Sequence, residues 1–451
     1  MKSILLGLFL LLGFLFRLWI VNYEPQGFML DQWEYDQAAI KILHNPDHLF
    51  LSSYRLPGYS LVLALIYSVF GSENTKAWIV FQAILDTLCA LLVYGIAKGL
   101  FKNNQAVWIA FILYLFNPYT SAYVGVRLTE ITAIFLITLI FYLFYKFLEK
   151  PKMWIILALS FSLGFLPQVR PGFLYFDIGI LLIVFGNFYI SFKRWKLAGF
   201  SNLGQSWGPT VEGSTVSPRL SSERKTKLIS KSARIYKSSL FLFVVSLALF
   251  SLPFLYNIAA NWKNYRQFAP MTVDNLFVRE FYISLFIGNE ETKQGMPNEV
   301  IGIYREYSTA TTPDGRRAMA DKYWKASIEE IMKNPNKFIT SRLAKMWYVW
   351  EKHILYQYSN PDFKGYGFLV YTGNIIILAA GLFGLGGYWI KGMKNMRERW
   401  MVYLTVILIV YISVLHAFTI TSERFSLPAY PMIMIFAGFG VWKIGRLLRS
   451  H

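Results

Sequence analysis

The sequence predicts an all-α, polytopic membrane protein with about ten to twelve transmembrane helices and further exterior helices beside the membrane. Three observations carry that expectation. Hydrophobic residues fill 55% of the 451 positions and charged residues only 16%, against about 25% charge in a typical soluble domain. The chain has too few charges to cover a surface and too much apolar bulk for one core. Its 38 Phe, 29 Tyr and 14 Trp exclude disorder, which needs low hydrophobicity. Finally, the apolar residues fall into runs suited to a bilayer core of about 30 Å, which takes roughly 20 residues per helix.

The first run covers residues 3–21. It begins like a signal peptide, but Arg17 interrupts it and no small-residue cleavage site follows, so it is expected to be retained. Further runs lie at 77–97, 105–122, 129–148, 153–169, 172–191, 238–258, 367–389, 400–419 and 427–444. Lys and Arg gather on every second connection: Lys2, Lys98 with Lys102, Lys146 with Lys150 and Lys152, the 193–237 segment, Lys391 to Arg399, and the tail from Lys443. The positive-inside rule then puts both termini in the cytoplasm. Residues 56–71 are too short to span and begin with Pro-Gly; as a span they would invert every later helix. They read as a helix at or dipping into the outer interface.

This gives five regions: an N-terminal transmembrane catalytic module at 1–191 with a first exterior loop at 22–76, a basic cytoplasmic loop at 192–237, a transmembrane helix at 238–258, an exterior region at 259–366, and C-terminal transmembrane helices with a basic tail at 367–451. In the exterior region a helix is expected from about Gly315, capped by Asp314 and broken by Pro335. A second, Lys337 to Trp350, alternates basic and aromatic residues and suits the outer headgroups.

The net charge of +19 suggests nucleic acid in a soluble protein. Here it reads as loop anchoring against anionic lipid, with no nucleic-acid partner. A single cysteine, Cys89, excludes an intrachain disulfide and thiol-rich metal sites. No zinc-finger spacing, P-loop, kinase signature or dinucleotide-binding glycine pattern occurs, and neither a cofactor nor a metal is expected.

The chemistry gathers at the outer turns. After the first helix, Asp31, Glu34 and Asp36 occur within six residues, and Asp31, Tyr35, Ala39 and Leu43 would share a helical face. Asp31 reads either as a helix N-cap or as a carboxylate facing a cavity. Arg55 precedes Pro57-Gly58-Tyr59; Arg127 and Glu130 share one outer turn, Arg170 occupies another, and Glu423 with Arg424 a third, near His416. Single arginines can pair with nearby acids, as Arg127 with Glu130 or Arg424 with Glu423. Several at one membrane face suit a lipid phosphate, which matches the planar guanidinium fork. Asp86 and Asp177 lie within spans and keep a transporter reading open.

Four of these places resemble the GT-C superfamily of membrane glycosyltransferases, in particular the branch of protein O-mannosyltransferases and bacterial aminoarabinose transferases. They are Asp31 with Tyr35, Ala39 and Leu43; Arg55-Leu56-Pro57-Gly58-Tyr59; Arg127-Leu128-Thr129-Glu130 with Arg170-Pro171; and His416 with Glu423-Arg424-Phe425 and Leu427-Pro428. The resemblance covers roughly 1–190 and 320–440. It implies a GT-C-type fold and an inverting transfer of sugar from a polyprenyl-phosphate donor to an exterior hydroxyl- or amine-bearing acceptor: glycolipid, cell-wall glycan or protein. It implies Asp31 as base with Asp36 as competitor; Arg55, Arg170, Arg424 and Arg127 on the donor phosphate; Tyr35, Tyr59, Glu130, His416 and Glu423 shaping the site; and an active site on the periplasmic face of an inner membrane. Two other classes stay open: a transporter or lipid flippase, and a glycan polymerase or ligase using a polyprenyl-diphosphate donor.

Overall fold

The computed structural model describes residues 2–28, 31–45, 55–72, 74–186, 222–272, 276–286, 301–303, 305–306, 312–359, 366–393 and 395–449. Among these there is no β-strand. Helix α1 (Lys2–Tyr23) leads into α2 (Asp31–His44) and the short α3 (Gly58–Phe70). Long helices follow: α4 (Thr75–Leu100) and α5 (Asn104–Leu115). Asn117 breaks α5, and its side chain accepts from the Tyr119 N–H to cap α6 (Pro118–Ser121), with Pro118 at the first helical position. Then come α7 (Glu130–Glu149), α8 (Met153–Val169) and α9 (Pro171–Gly186). The second half holds α10 (Ser222–Tyr265), α11 (Leu276–Phe286), α12 (Pro313–Lys333), α13 (Pro335–Tyr348), α14 (Gly367–Ile390), α15 (Met396–Ala417) and α16 (Tyr430–Leu448).

Eight of the described helical segments are long and apolar enough to cross a membrane, and α3, α8 and α9 are shorter apolar helices. The ten expected spans thus become eight long and two short ones. Helix α8 keeps the expected 153–169; α9 ends at Gly186, and the remainder of its expected span lies outside the described residues. Helix α3, at 13 residues, is too short for the bilayer core. It packs on α2, α4 and α8. Helix α10 runs past the expected 258 to Tyr265, and the Asn257 and Asn261 amides, donating to the carbonyls of Ala269, Pro270 and Met271, hold the following loop back onto it. Most of the basic loop at 192–237 lies outside the described residues; from Ser222 it is the start of α10. In the exterior region Thr312, not Asp314, caps α12: its hydroxyl accepts from the Gly315 N–H, and Pro313 occupies the first helical position. Pro335 separates α12 from α13, as expected.

Helix α16 is the hub, buried continuously from Tyr430 to Gly440. It packs on α14 through glycines: a Cβ on Gly384 would lie 1.9 Å from the Phe436 carbonyl oxygen, and one on Gly440 2.3 Å from that of Ala380. In a bilayer such close backbone approach, rather than expulsion of apolar groups from water, holds helices together. Helix α16 also packs on α5 and α4, α4 on α1 and α7, α7 on α8, and α8 on α10.

One ion pair locks α1 to this frame. Arg17 and Asp86 are both fully buried. Arg17 donates from Nε to Asp86 Oδ2 at 2.7 Å, from Nη1 to the Gly13 and Leu115 carbonyls, and from Nη2 to the Asp86 carbonyl. Tyr114 and Thr120 hydroxyls donate to the Asp86 carboxylate. Every nitrogen of the guanidinium and both carboxylate oxygens are engaged, which accounts for Asp86 structurally. Asp177, in α9, is fully buried, and neither carboxylate oxygen has a hydrogen-bond partner among the described residues.

Candidate active site

The outer turns named from sequence meet at one end of the bundle. Helix α2 begins at Asp31, so Asp31, Glu34 and Tyr35 lie within about one turn and reach the same partner. Arg55 donates from Nη2 to Asp31 Oδ1 (2.7 Å), from Nε to Glu34 Oε2 (2.5 Å) and from Nη1 to the Tyr35 hydroxyl (3.0 Å). The buried face of α2 is Gln32, Asp36, Ala39 and Ile42. Leu43, expected to share a face with Asp31, Tyr35 and Ala39, is exposed. The rotation by one position buries Asp36 and leaves Asp31 and Glu34 partly open.

Arg424 closes the other side of Asp31, with Nη2 3.2 Å from Oδ2. Its Nη1 donates to the Tyr358 hydroxyl at 3.3 Å, and its Nε lies 3.5 Å from Glu130 Oε1. Arg170 Nη1 lies 3.7 Å from the same Glu130 oxygen. Three arginines and three carboxylates therefore alternate: Glu34, Arg55, Asp31, Arg424, Glu130, Arg170. The side chains of Arg424, Arg170 and Glu130 are nearly enclosed, whereas Asp31 is 36% exposed.

The cluster is incompletely satisfied. Among the described residues, Glu130 Oε2, Arg170 Nη1 and Arg424 Nε are buried without a hydrogen-bond partner. Buried polar atoms are normally paired, and each orphan is costly. Burial pushes the Asp31 carboxyl up, but the charges and hydrogen bonds of Arg55 and Arg424 outweigh it and hold the group below the usual carboxylate range.

Phe425 lies beneath two of the arginines, its ring centroid 5.0 Å from the Arg170 guanidinium and 5.4 Å from that of Arg424. His416 stacks on the far component of this floor, 4.5 Å from Phe425. Tyr59 packs edge-on against Tyr35 at 5.2 Å, and its hydroxyl donates to Gln82. Gly58 allows α3 to start against α8: a Cβ there would fall 2.6 Å from the Gln168 carbonyl group, two residues before Arg170.

Two sequence-based pairings are corrected. Arg127 pairs with Asp36 at 2.5 Å, not with Glu130. Residues 126–129 are not helical, so the three-residue spacing does not bring 127 and 130 together. Asp36 also accepts from the Tyr67 hydroxyl, and the Arg127 backbone N–H donates to Gln32. Arg127 and Asp36 thus form a separate, buried knot. Glu423 does not pair with Arg424; its carboxylate accepts from the backbone N–H groups of His353 and Ile354. Sequence reading gave no role to Glu34, Tyr358 or Lys352. Glu34 was readable from its spacing to Asp31; Tyr358 and Lys352 carry no local signal.

Among the described residues no group of three or more His, Cys, Asp or Glu side chains could hold a metal ion.

The family model described as dolichyl-phosphate-mannose-protein mannosyltransferase matches residues 55–200, about a third of the chain. It takes in Arg55, Arg127, Glu130 and Arg170 and stops short of Arg424. No curated protein matches. Among solved structures, the archaeal oligosaccharyltransferase AglB from Archaeoglobus fulgidus, in complex with an inhibitory peptide and a dolichol-phosphate, superposes over 100% of this chain with a TM-score of 0.50 and 14% identity. The same enzyme in complex with zinc and sulfate gives 0.50 and 14% over 98%. The chain spans about half the length of these archaeal structures, 52% and 50%. ArnT from Cupriavidus metallidurans, bound to undecaprenyl phosphate, gives a TM-score of 0.35 at 11% identity, covering 99% of this chain and 79% of its own, too weak to add to the assignment. The protein is a multi-pass, all-α membrane protein with the GT-C fold seen in AglB.

Proposed function

We propose that the protein is an inverting glycosyltransferase that moves a sugar from a polyprenyl-phosphate donor to an acceptor at the exterior membrane face. The observation that carries this reading is the set of orphan polar atoms in the outer cluster. Two buried guanidinium nitrogens, held to Glu130 only by long ion pairs, and one carboxylate oxygen make no hydrogen bond among the described residues and suit a ligand bearing both an anion and hydroxyl groups. A phosphate would give the Arg170 and Arg424 nitrogens the hydrogen bonds they lack, and a sugar hydroxyl would donate to Glu130 Oε2. The fold shared with AglB and the mannosyltransferase model over 55–200 favour the same class.

In this reading Arg55, Arg170 and Arg424 hold the donor phosphate. Arg127, already tied to Asp36, is not in contact with it. Asp31 is the base rather than Asp36, because Asp36 is buried beneath Tyr67 and Arg127 while Asp31 opens outward. The acceptor hydroxyl gives its proton to Asp31, its oxygen bonds to the anomeric carbon from the face opposite the phosphate, and the carbon–oxygen bond to the phosphate breaks. Polyprenyl phosphate leaves as an anion that the arginines stabilise in a poorly solvated site. Donor binding also prepares the base. Guanidiniums shared with phosphate neutralise Asp31 less, so its proton affinity rises when the acceptor must be deprotonated. Neither the sugar nor the acceptor class is assigned.

The test is turnover of a panel of polyprenyl-phosphate sugars by purified protein in lipid, with a native membrane extract supplying acceptors. Release of polyprenyl phosphate should be lost in Asp31→Asn while donor still binds. Equal release by wild type and variant would remove Asp31 as the base.

A further inference from the structure

Lys352 follows α13 and is 3% exposed. Its ammonium donates to the carbonyls of Val349 (3.3 Å), Glu351 (3.2 Å) and Glu423 and to the Ser426 hydroxyl (2.7 Å), and it lies 5.3 Å from the centre of the Tyr430 ring. Its hydrogen-bond acceptors are carbonyls and a hydroxyl, not carboxylates. Glu423 answers in kind, accepting from the N–H groups of His353 at 2.8 Å and Ile354 at 3.3 Å. Each side chain therefore caps the other's backbone, and the next residue after Glu423 is Arg424.

The same segment reaches Asp31. Tyr358 meets Arg424 through its hydroxyl, accepts from the Gly27 N–H through its carbonyl at 2.6 Å, and donates its own N–H to Gln26. Gly27 lies just ahead of α2, whose first residue is Asp31. One strap of chain, 352–358, thus connects the turn that carries Arg424 to the start of the helix that carries Asp31.

We propose that Lys352 and Glu423 form a reciprocal clasp that positions Arg424 on the donor phosphate, with Lys352 the positioning residue whose charge closes it; this rests on the function proposed above. A buried lysine held by neutral acceptors costs stability, and apolar replacement of buried charges is often neutral or stabilising. The clasp is therefore poor as a folding device and better explained by what it aims.

The carboxylates acting on the ammonium are Glu351 on its own segment and Glu423 on the turn; the His353 ring stacks on Tyr371 and meets Glu351. Burial pushes the Lys352 ammonium down to about 7, against Glu423 and Glu351. Two pH trends of opposite sign follow. The folded value lies below the unfolded lysine value of about 10.4, so the burial penalty is full below about 7 and fades as pH rises toward that value: stability increases. Over the start of the same range the clasp loses a donor and its charge, so donor affinity decreases. A residue with a structural role alone would move both in one direction.

The experiment measures affinity for a polyprenyl phosphomannose diester, whose phosphate keeps one charge between about pH 6 and 9, in nanodiscs of wild type, Lys352→Arg, Lys352→Met and Arg424→Lys. Wild type should lose affinity several-fold from pH 6 to 8.5. Lys352→Arg should be flat, and Lys352→Met flat and about tenfold weaker, with a melting temperature no lower than wild type. Persistence of the pH dependence in Lys352→Arg, or wild-type affinity in Lys352→Met, would overturn the clasp. Should Lys352→Met not fold, Lys352→Arg decides alone. Weakened binding in Arg424→Lys beside unchanged binding in Lys352→Met would remove the clasp and leave the proposed function standing. Wild-type binding in Arg424→Lys, or no binding by wild type of the phosphomannose diester or of any other polyprenyl-phosphate sugar in the panel, would remove the proposed function itself.

Discussion

The pair Arg17–Asp86 and the cluster around Asp31 use the same chemistry in different ways. Arg17 has every nitrogen donated and Asp86 both oxygens accepted, with neither side chain exposed. The outer cluster has more charges and fewer satisfied atoms: Arg170, Arg424 and Glu130 each keep a buried polar atom without a hydrogen bond, and Asp31 opens outward. A closed pair has nothing left to offer a ligand, so its role is to fix α1 against α4. An open cluster is destabilised by what it lacks, and under the proposed function a donor that brings an anion and hydroxyls would complete it. Burial of charge alone does not mark a functional site in a membrane protein; several incompletely hydrogen-bonded charges of both signs converging beside a partly exposed carboxylate are the sharper sign.

Substitutions should separate the two clusters by what they damage. Asp31→Asn should lower turnover by about 10²- to 10⁴-fold, the range for loss of a general base, with little change in melting temperature. Asp86→Ala should do the reverse. It leaves Arg17 buried and unpaired, which costs about 3–5 kcal/mol, and the melting temperature should fall while the folded fraction binds donor normally. Arg170→Lys should weaken donor binding by about ten- to a hundredfold, since charged hydrogen bonds contribute roughly 1.5–3 kcal/mol each and lysine cannot present a planar fork. Glu34→Gln should change donor affinity less than about fivefold, because a half-exposed ion pair contributes at most about 1 kcal/mol. The smallest effect concerns acid. The folded Asp31 value lies below its unfolded one of about 3.9, so its stabilisation is present above that value and lost as pH falls through the folded one. Denaturation curves should show no Asp31 contribution to pH dependence between pH 5 and 8.

Much of the frame was legible in the sequence because hydropathy is a local property: 153–169 is reproduced as α8, and 129–148 is shifted by one residue in α7. The break at Pro335 followed for an equally local reason, whereas 105–122, read as one run, is interrupted at the Asn117–Pro118 step. Partnerships were legible only in part. Asp31, Arg55, Glu130, Arg170 and Arg424 were all named, but their contacts join residues up to 393 positions apart. Neighbours in sequence misled: Glu423 and Arg424 are adjacent, and adjacent residues do not face each other. Asp86 looked functional as an intramembrane acid until its partner, 69 residues away, was seen. Lys352 was invisible because its hydrogen-bond partners are backbone carbonyls and one serine hydroxyl, which no motif encodes.

The most direct test of the contrast between closed and open clusters is donor binding in Asp86→Asn and Arg424→Lys side by side, with a polyprenyl phosphomannose diester in nanodiscs and melting temperatures measured on the same samples. The account predicts that Arg424→Lys binds at least tenfold more weakly than wild type at a similar melting temperature, and that Asp86→Asn binds as wild type does but melts lower. Wild-type affinity in Arg424→Lys, or a loss of affinity confined to Asp86→Asn, would contradict it.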